Sequence, residues 1–298
     1  MLSMDVEVAT VNAQTGTKIE MKISRLCGAL GAEIEGIDLA QMGDNTKSVI
    51  LDAFHEHLVL VFPGQDLAPS DQIAFTELFG PAQPHPLKTR RTVDGFPQVL
   101  VLENRPGQRG ARNDYWHSDI SHAEYPPAVS ILHALTIPEG RGDTMFCNMA
   151  AAYDGLSDGM KSQLRGLRAL HSGMATYTRS LERGDARIID PKEIKPPRAH
   201  PIIRAHPATG RPALFVDPHF TTGIEGMTED ESAPLLDALY ARATAHENIY
   251  RHRWRVGDVV IWDNRATMHY AVRDYTEEMP RYLHRTTAGG EVPIMADN

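Results

Sequence analysis

Short apolar runs closed by Gly, Pro, Asp or Asn recur along most of the chain. They are HLVLVFPG (57–64), QVLVLEN (98–104), AVSILHALTIP (128–138), DVVIW (258–262) and RYLHRTT (281–287). Runs this short, punctuated by turn residues, read as strands. Helical patterns interrupt them without strict β-α alternation, and no strand is followed by the GxGxxG turn of a dinucleotide fold. The pattern therefore predicts a mainly β protein with inserted helices, a sandwich or jelly roll.

Two of the helical patterns carry recognisable ends. SDQIAFTELFG (70–80) opens on Ser70 as an N-cap and stops at Gly80. TEDESAPLLDALYARATAHEN (228–248) has Thr228 and Glu231 at capping-box positions, and Pro234 suggests a break with Ser232 capping a second helix. The polar stretch 1–20 reads as a flexible arm, and 21–298 as a single domain. Within it, the charged and proline-rich segment near 175–201 reads as an active-site lid or a mobile surface loop.

A formal charge of −9, from 39 acids against 30 bases, excludes the basic balance of a nucleic-acid binder. Arginines cluster at RHRWR (251–255), but with acids close on both sides. A small anionic substrate stays compatible, because one or two local arginines outweigh a distant global charge. Cys27 and Cys147 are too few and too far apart for a zinc pattern, and read as buried thiols of a reducing compartment. The first twenty residues hold no apolar core of signal-peptide length. No apolar run approaches the ~20 residues of a membrane span, so a cytoplasmic protein is expected.

The stretch DYWHSDISH (114–122) raises a chemical question. In an extended strand His117 and Asp119 share a face, which makes half of a metal site. His269 follows a strand 150 positions after Asp119 (269 − 119). Arg281 and Arg285 then repeat the period-2 spacing, and two guanidiniums on one inward face need anions to hold. Taken singly, each feature has an ordinary reading: a structural His–Asp hydrogen bond, a polar strand end, a surface ion pair with Glu277 or Glu278.

In this order the features resemble the taurine dioxygenase/TfdA family of Fe(II)- and 2-oxoglutarate-dependent oxygenases, over roughly residues 22–290. The resemblance is carried by GALGAEIEGIDL, FG with HP at 85–86, WHSD, PPA at 126–128 and GDT at 142–144. FVDPHFTTGIEGM (215–227) and WDNRATMHYA with RYLHRTT complete it. It implies a cupin-like double-stranded β-helix, with iron held by His117, Asp119 and His269. It further implies that 2-oxoglutarate chelates that iron and is gripped at its distal carboxylate by Thr144 and Arg281. Decarboxylation to succinate and CO2 would then drive O2-dependent hydroxylation, the protein supplying placement and protection.

By the same resemblance, His85, Arg285 and the Ile120 backbone meet an anionic head group. Asn113 adds a polar contact, and Tyr177 and Phe220 form walls. Trp116 and Trp262, which flank the ligand segments, read as core packing. Lys88 stands where the taurine enzymes place a tyrosine near the substrate ammonium, so taurine itself is expected to be a poor substrate. Sulfonates, alkyl sulfates and aryloxyalkanoates fit better, and a dimer or tetramer is implied. Two other classes compete: a zinc hydrolase using the same three ligands, and a non-catalytic small-molecule-binding barrel. The first lacks an HExxH helix and leaves the paired arginines without purpose. The second has no need of all three ligand types.

Overall fold

The computed structural model describes residues 6–12, 18–85, 90–106, 113–182 and 194–296. In chain order the first strands are β1 (Val6–Asn12), β2 (Lys18–Arg25), β3 (Ala32–Glu35), β4 (Val59–Phe62), β5 (Thr92–Val93) and β6 (Phe96–Asn104). Then come β7 (Val129–Thr136), β8 (Thr144–Asn148), β9 (Arg168–His171), β10 (Arg198–Pro201), β11 (Ile203–Ala205) and β12 (Pro212–Leu214). The last are β13 (Thr221–Ile224), β14 (Ile249–His252), β15 (Val259–Asp263), β16 (Thr267–Ala271) and β17 (Arg281–Ala288). The helices are α1 (Asp44–His57), α2 (Pro69–Thr76), α3 (Met149–Asp154), α4 (Asp158–Leu164), α5 (Met174–Glu182) and α6 (Glu229–Ala243).

Nine strands join in the order β1-β2-β3-β4-β15-β7-β17-β6-β5, and β14-β8-β16 form a small sheet. Side-chain alternation shows how the two meet. Val59 and Val61 of β4, Leu132 and Ala134 of β7, Val260 and Trp262 of β15 and Leu283 of β17 pack with Phe146 of β8 in one buried cluster. Their neighbours Leu60, Phe62, Ile131, Val259 and Ile261 pack on the opposite face, with Ile50 and Phe54 of α1 and Phe75 of α2. The centre of the large sheet is thus buried on both sides, which is why its strands read as nearly continuous apolar runs. Burying each such side chain contributes roughly 1.5–3 kcal/mol. Two β layers closed face to face, with helices outside, form the jelly roll that the sequence predicts.

Polar residues on the inner parity of these strands have nowhere to go but the space between the layers. Ser130 shares parity with Leu132 and Ala134; Arg281 and Arg285 share it with Leu283; Thr144 shares it with Phe146. That shared parity positions the candidate site.

Several local expectations change. Residues 6–12 of the expected arm form β1, antiparallel to β2. Helix α2 begins one residue before Ser70: Pro69 takes the first helical position and Asp71 accepts the Ala68 N–H at 3.2 Å. Helix α6 runs unbroken through Pro234. So early in a helix the proline forfeits only a bond to the Asp230 carbonyl, and the Ser232 hydroxyl donates back to the Thr228 carbonyl at 2.8 Å. Cys147 is buried, whereas Cys27 is half-buried. Of the segment 175–201, residues 183–193 lie outside the described residues, as does Lys88. Among the described residues no helix is long and apolar enough to cross a membrane.

Candidate metal centre

His117 does not sit in an extended strand. It makes a single antiparallel bridge with His269 of β16, each backbone N–H donating to the other's carbonyl at 3.0 and 2.8 Å. The chain then turns at once, with Asp119 in the turn and Ile120 at φ 48°. A β-branched residue in that left-handed region is a genuine outlier, costing of order 1–3 kcal/mol. The shared face expected from period-2 geometry is therefore reached by a bridge and a strained turn.

The result is a convergent trio. His117 Nε2 and His269 Nε2 each lie 3.8 Å from Asp119 Oδ1, and the imidazole centroids are 4.1 Å apart. All three side chains are buried, and their candidate ligand atoms fall within 4.8 Å of one another. His117 Nδ1 must carry its proton, because it donates to the Tyr115 carbonyl at 2.9 Å; Nε2 is left as a lone pair facing the carboxylate. Burial lowers the pKa of both imidazoles and keeps them neutral. Burial alone would raise Asp119, but Arg285, His269, His117 and the Ser130 hydrogen bond together hold it well below the usual carboxylate range. Two neutral imidazoles and one anionic oxygen around a common point fit a divalent cation.

The other carboxylate oxygen is saturated. Asp119 Oδ2 accepts from the Ser130 hydroxyl at 2.6 Å and from Arg285 Nη2 at 2.8 Å. Asn264 braces the arrangement: its Nδ2 donates to Ser130 Oγ at 3.0 Å, and its carbonyl accepts the Ser118 hydroxyl at 2.8 Å. Its Oδ1 accepts the Trp262 indole N–H at 3.0 Å, and the Trp262 ring lies 4.8 Å from that of His269. Trp262 is thus core packing and support together, while the half-buried Trp116 packs on the neighbouring apolar cluster. Ser130, Asn264 and Trp254 escape sequence reasoning. A polar residue in the apolar run AVSILHAL and the Asn of WDN were the available signals.

Thr144 pairs with Ala271 of β16, two residues beyond His269, and Arg281 lies on the same GDT segment. A Cβ on Gly142 would lie 3.2 Å from Arg281 Nε, so the guanidinium lies against the GDT segment. Among the described residues no carboxylate pairs with Arg281, and its Nε is buried without an acceptor. Thr144 Oγ1 accepts the Trp254 indole N–H at 3.0 Å, and no described acceptor takes its own proton. A half-buried guanidinium without a described carboxylate partner and a buried hydroxyl with its proton unspent suit a carboxylate. That is the fit required of a 2-oxoglutarate tail.

The expected substrate residues divide. Arg285 touches Asp119, Ile120 follows it in the turn, and the Phe220 ring stands 6.4 Å from His117. The Asn113 carbonyl accepts the Ala271 N–H at 3.1 Å, beside His269. His85 is half-buried in the loop after Gly80, and Tyr177 is half-buried on α5; the contacts above reach neither.

The family described as "Taurine catabolism dioxygenase TauD, TfdA family" matches residues 22–287. The chain is 36% identical to an alkylsulfatase of Acinetobacter baylyi over 92% of this chain and 86% of that protein. It is 37% identical to an alpha-ketoglutarate-dependent sulfate ester dioxygenase of Pseudomonas putida, covering 94% and 93% respectively. A solved taurine dioxygenase from Burkholderia xenovorans superposes with a TM-score of 0.78 at 34% identity, over 92% of this chain and 93% of that one. With the trio, its bracing and the jelly roll in place, the chain belongs to the TauD, TfdA family and is a 2-oxoglutarate (alpha-ketoglutarate)-dependent dioxygenase.

Proposed function

We propose that the protein hydroxylates a small anionic organic molecule, foremost an alkyl sulfate ester, at the carbon next to its heteroatom. The observation that carries this reading is a pair of buried guanidinium Nε–H groups without acceptors, on Arg281 and Arg285 of the same strand. Four residues of strand separate them by roughly 13 Å. Two anions of different length therefore have two separate grips: a cosubstrate carboxylate at Arg281 with Thr144, and a substrate head group at Arg285.

His117, Asp119 and His269 would hold ferrous iron. With 2-oxoglutarate bound, that metal supplies an O2-derived oxidant for hydroxylation, with release of succinate and CO2. The chain's own residues place and protect. Arg285 keeps one edge on Asp119 and offers the other to sulfate or sulfonate, joined in this reading by His85 and the Ile120 N–H. Phe220 supplies an apolar wall suited to an uncharged tail, with Tyr177 and the polar Asn113 completing the pocket. Hydroxylation beside the ester oxygen gives a hemiacetal-like product that collapses to an aldehyde and releases sulfate. The similarity to two proteins named for sulfate esters favours this class over taurine, in line with the lysine at position 88.

In the same reading residues 21–298 are one catalytic domain, with the segment near 175–201 as its lid. Support comes from Thr176 of α5, whose Oγ1 lies 2.9 Å from His219 Nε2. A cytoplasmic location accords with two free cysteines. Dimeric or tetrameric assembly rests on the family resemblance and is tested by light scattering.

The test is anaerobic loading with Fe(II) and 2-oxoglutarate, then oxygen with hexyl sulfate, pentanesulfonate, a phenoxypropionate or taurine, scoring succinate. Hexyl sulfate is expected to drive succinate and sulfate release, with taurine slowest. Arg281→Ala should weaken 2-oxoglutarate and Arg285→Ala the sulfate ester. Sulfate release without iron or oxygen would instead make the protein a hydrolase.

A further inference from the structure

Something must hold Ile120 in its strained conformation, and the residue best placed to do so is Asp217, in the loop before β13. Its carboxylate is buried and accepts four donors. Oδ2 takes the Ser121 hydroxyl at 2.8 Å; Oδ1 takes the backbone N–H groups of His219 at 3.0 Å and Phe220 at 2.7 Å. The Ser118 N–H also points at the carboxylate. Ser118 and Ser121 bracket the turn that carries Asp119 and Ile120, whereas Phe220 is the apolar wall over His117. One side chain thus ties the turn beneath the substrate to the wall beside it.

We propose that Asp217 is a positioning residue for the primary substrate, fixing the distance between the Ile120 N–H and the Phe220 ring. The inference rests on the function proposed above. A buried carboxylate is a poor choice for stability alone. Among the described residues no cation pairs with Asp217, and His171 reaches it only through Ser121, whose Oγ lies 3.0 Å from His171 Nδ1. Charge-assisted hydrogen bonds are roughly twice as strong as neutral ones, so the ionised form grips turn and wall more firmly than an amide would. Arg281 and Thr144 share none of these bonds, so cosubstrate binding should not feel the change.

Burial pushes the Asp217 pKa up to about 6, against the lowering effect of its four donors. The groups facing it are His171 on β9, His219 on its own loop and Tyr240 on α6, whose hydroxyl donates to the Asp217 carbonyl at 3.3 Å. Asp119 and His122 lie in the turn held by Ser121. Burial takes His171 down to about 3 and His122 to about 4, and raises Tyr240. None of these three titrates near 6. Because the folded value lies above the ordinary 3.8, stability falls as pH rises from about 3.8 through about 6. At pH 7.5 the ionised carboxylate therefore works against the fold.

Asp217→Asn keeps an acceptor for the His219 and Phe220 N–H groups and removes the charge. Protein loaded with Fe(II) and 2-oxoglutarate, kept anaerobic so that nothing turns over, is titrated calorimetrically with hexyl sulfate. Asp217→Asn should weaken hexyl sulfate roughly ten- to hundred-fold at pH 7.5. It should leave 2-oxoglutarate affinity unchanged and the melting temperature equal or higher. Hexyl sulfate is itself ionised throughout, and wild-type affinity for it should fall more steeply from pH 7.5 to pH 5.5 than that of Asp217→Asn. Ser121→Ala cuts the same tie from the other side, should reproduce the loss, and decides the matter if Asp217→Asn does not fold. Unchanged hexyl sulfate affinity in either folded variant overturns the proposal, as does equal weakening of 2-oxoglutarate or a lowered melting temperature in Asp217→Asn. If wild-type protein binds none of the four anions tested above, the substrate reading fails, and this inference with it.

Discussion

At the scale of single residues, Asp119 divides its labour between its two oxygens. Oδ1 faces the imidazoles, and Oδ2 is spent on Ser130 and Arg285. A ligand carboxylate that must not rotate needs such an anchor. Ser130→Ala should therefore weaken ferrous binding roughly 10–100-fold in protein that still folds, read by anaerobic competition with a chelator. An unchanged iron affinity would show the hydroxyl to be incidental. The charged and imidazole residues of the site were legible in the sequence because such groups are conspicuous beside apolar strands. Ser130, Asn264 and Asp217 were not, since a hydroxyl in a strand or an Asp before a turn is also an ordinary local choice. Nothing in the sequence around Arg285 points to Asp119. Its bond to Asp119 becomes visible only when β17 and the turn after His117 are brought together.

Strands are where the sequence spoke most clearly, because a sheet buried on both faces leaves uninterrupted apolar runs. It misled where conformation is irregular. The segment carrying His117 and Asp119 is a bridge followed by a left-handed residue, which no alternation pattern encodes. The close of β17 gives a sharp test of packing between elements. A Cβ on Gly290 would lie 1.6 Å from the Pro126 carbonyl oxygen, so Gly290→Ala must displace the backbone of the PPA loop. A loss of more than about 2 kcal/mol is expected by denaturant unfolding. A neutral result would mean that the two loops part easily. Strand β9 provides a pH test. Burial first, then the charges of His200 and His122, take His171 down to about 3. The group is neutral when folded but protonates near 6.5 when unfolded, so its stabilisation is complete above that pH and fades as pH falls toward 3. His171→Gln should flatten the fall in melting temperature between pH 7 and pH 5, and an unchanged slope would place the acid sensitivity elsewhere.

For the molecule as a whole, the two β layers do what no local segment can. They bring His269 to within 3.8 Å of a carboxylate 150 positions earlier, and line the gap between them with Thr144, Arg281 and Arg285. We infer that this convergence is a ferrous site. It is tested most directly by anaerobic equilibrium dialysis against Fe(II), counting iron per chain in the wild type and in His117→Ala, Asp119→Ala and His269→Ala. One tightly held iron per wild-type chain, lost in each folded variant, is the predicted result. Iron retained with wild-type affinity after any one of these substitutions would contradict it.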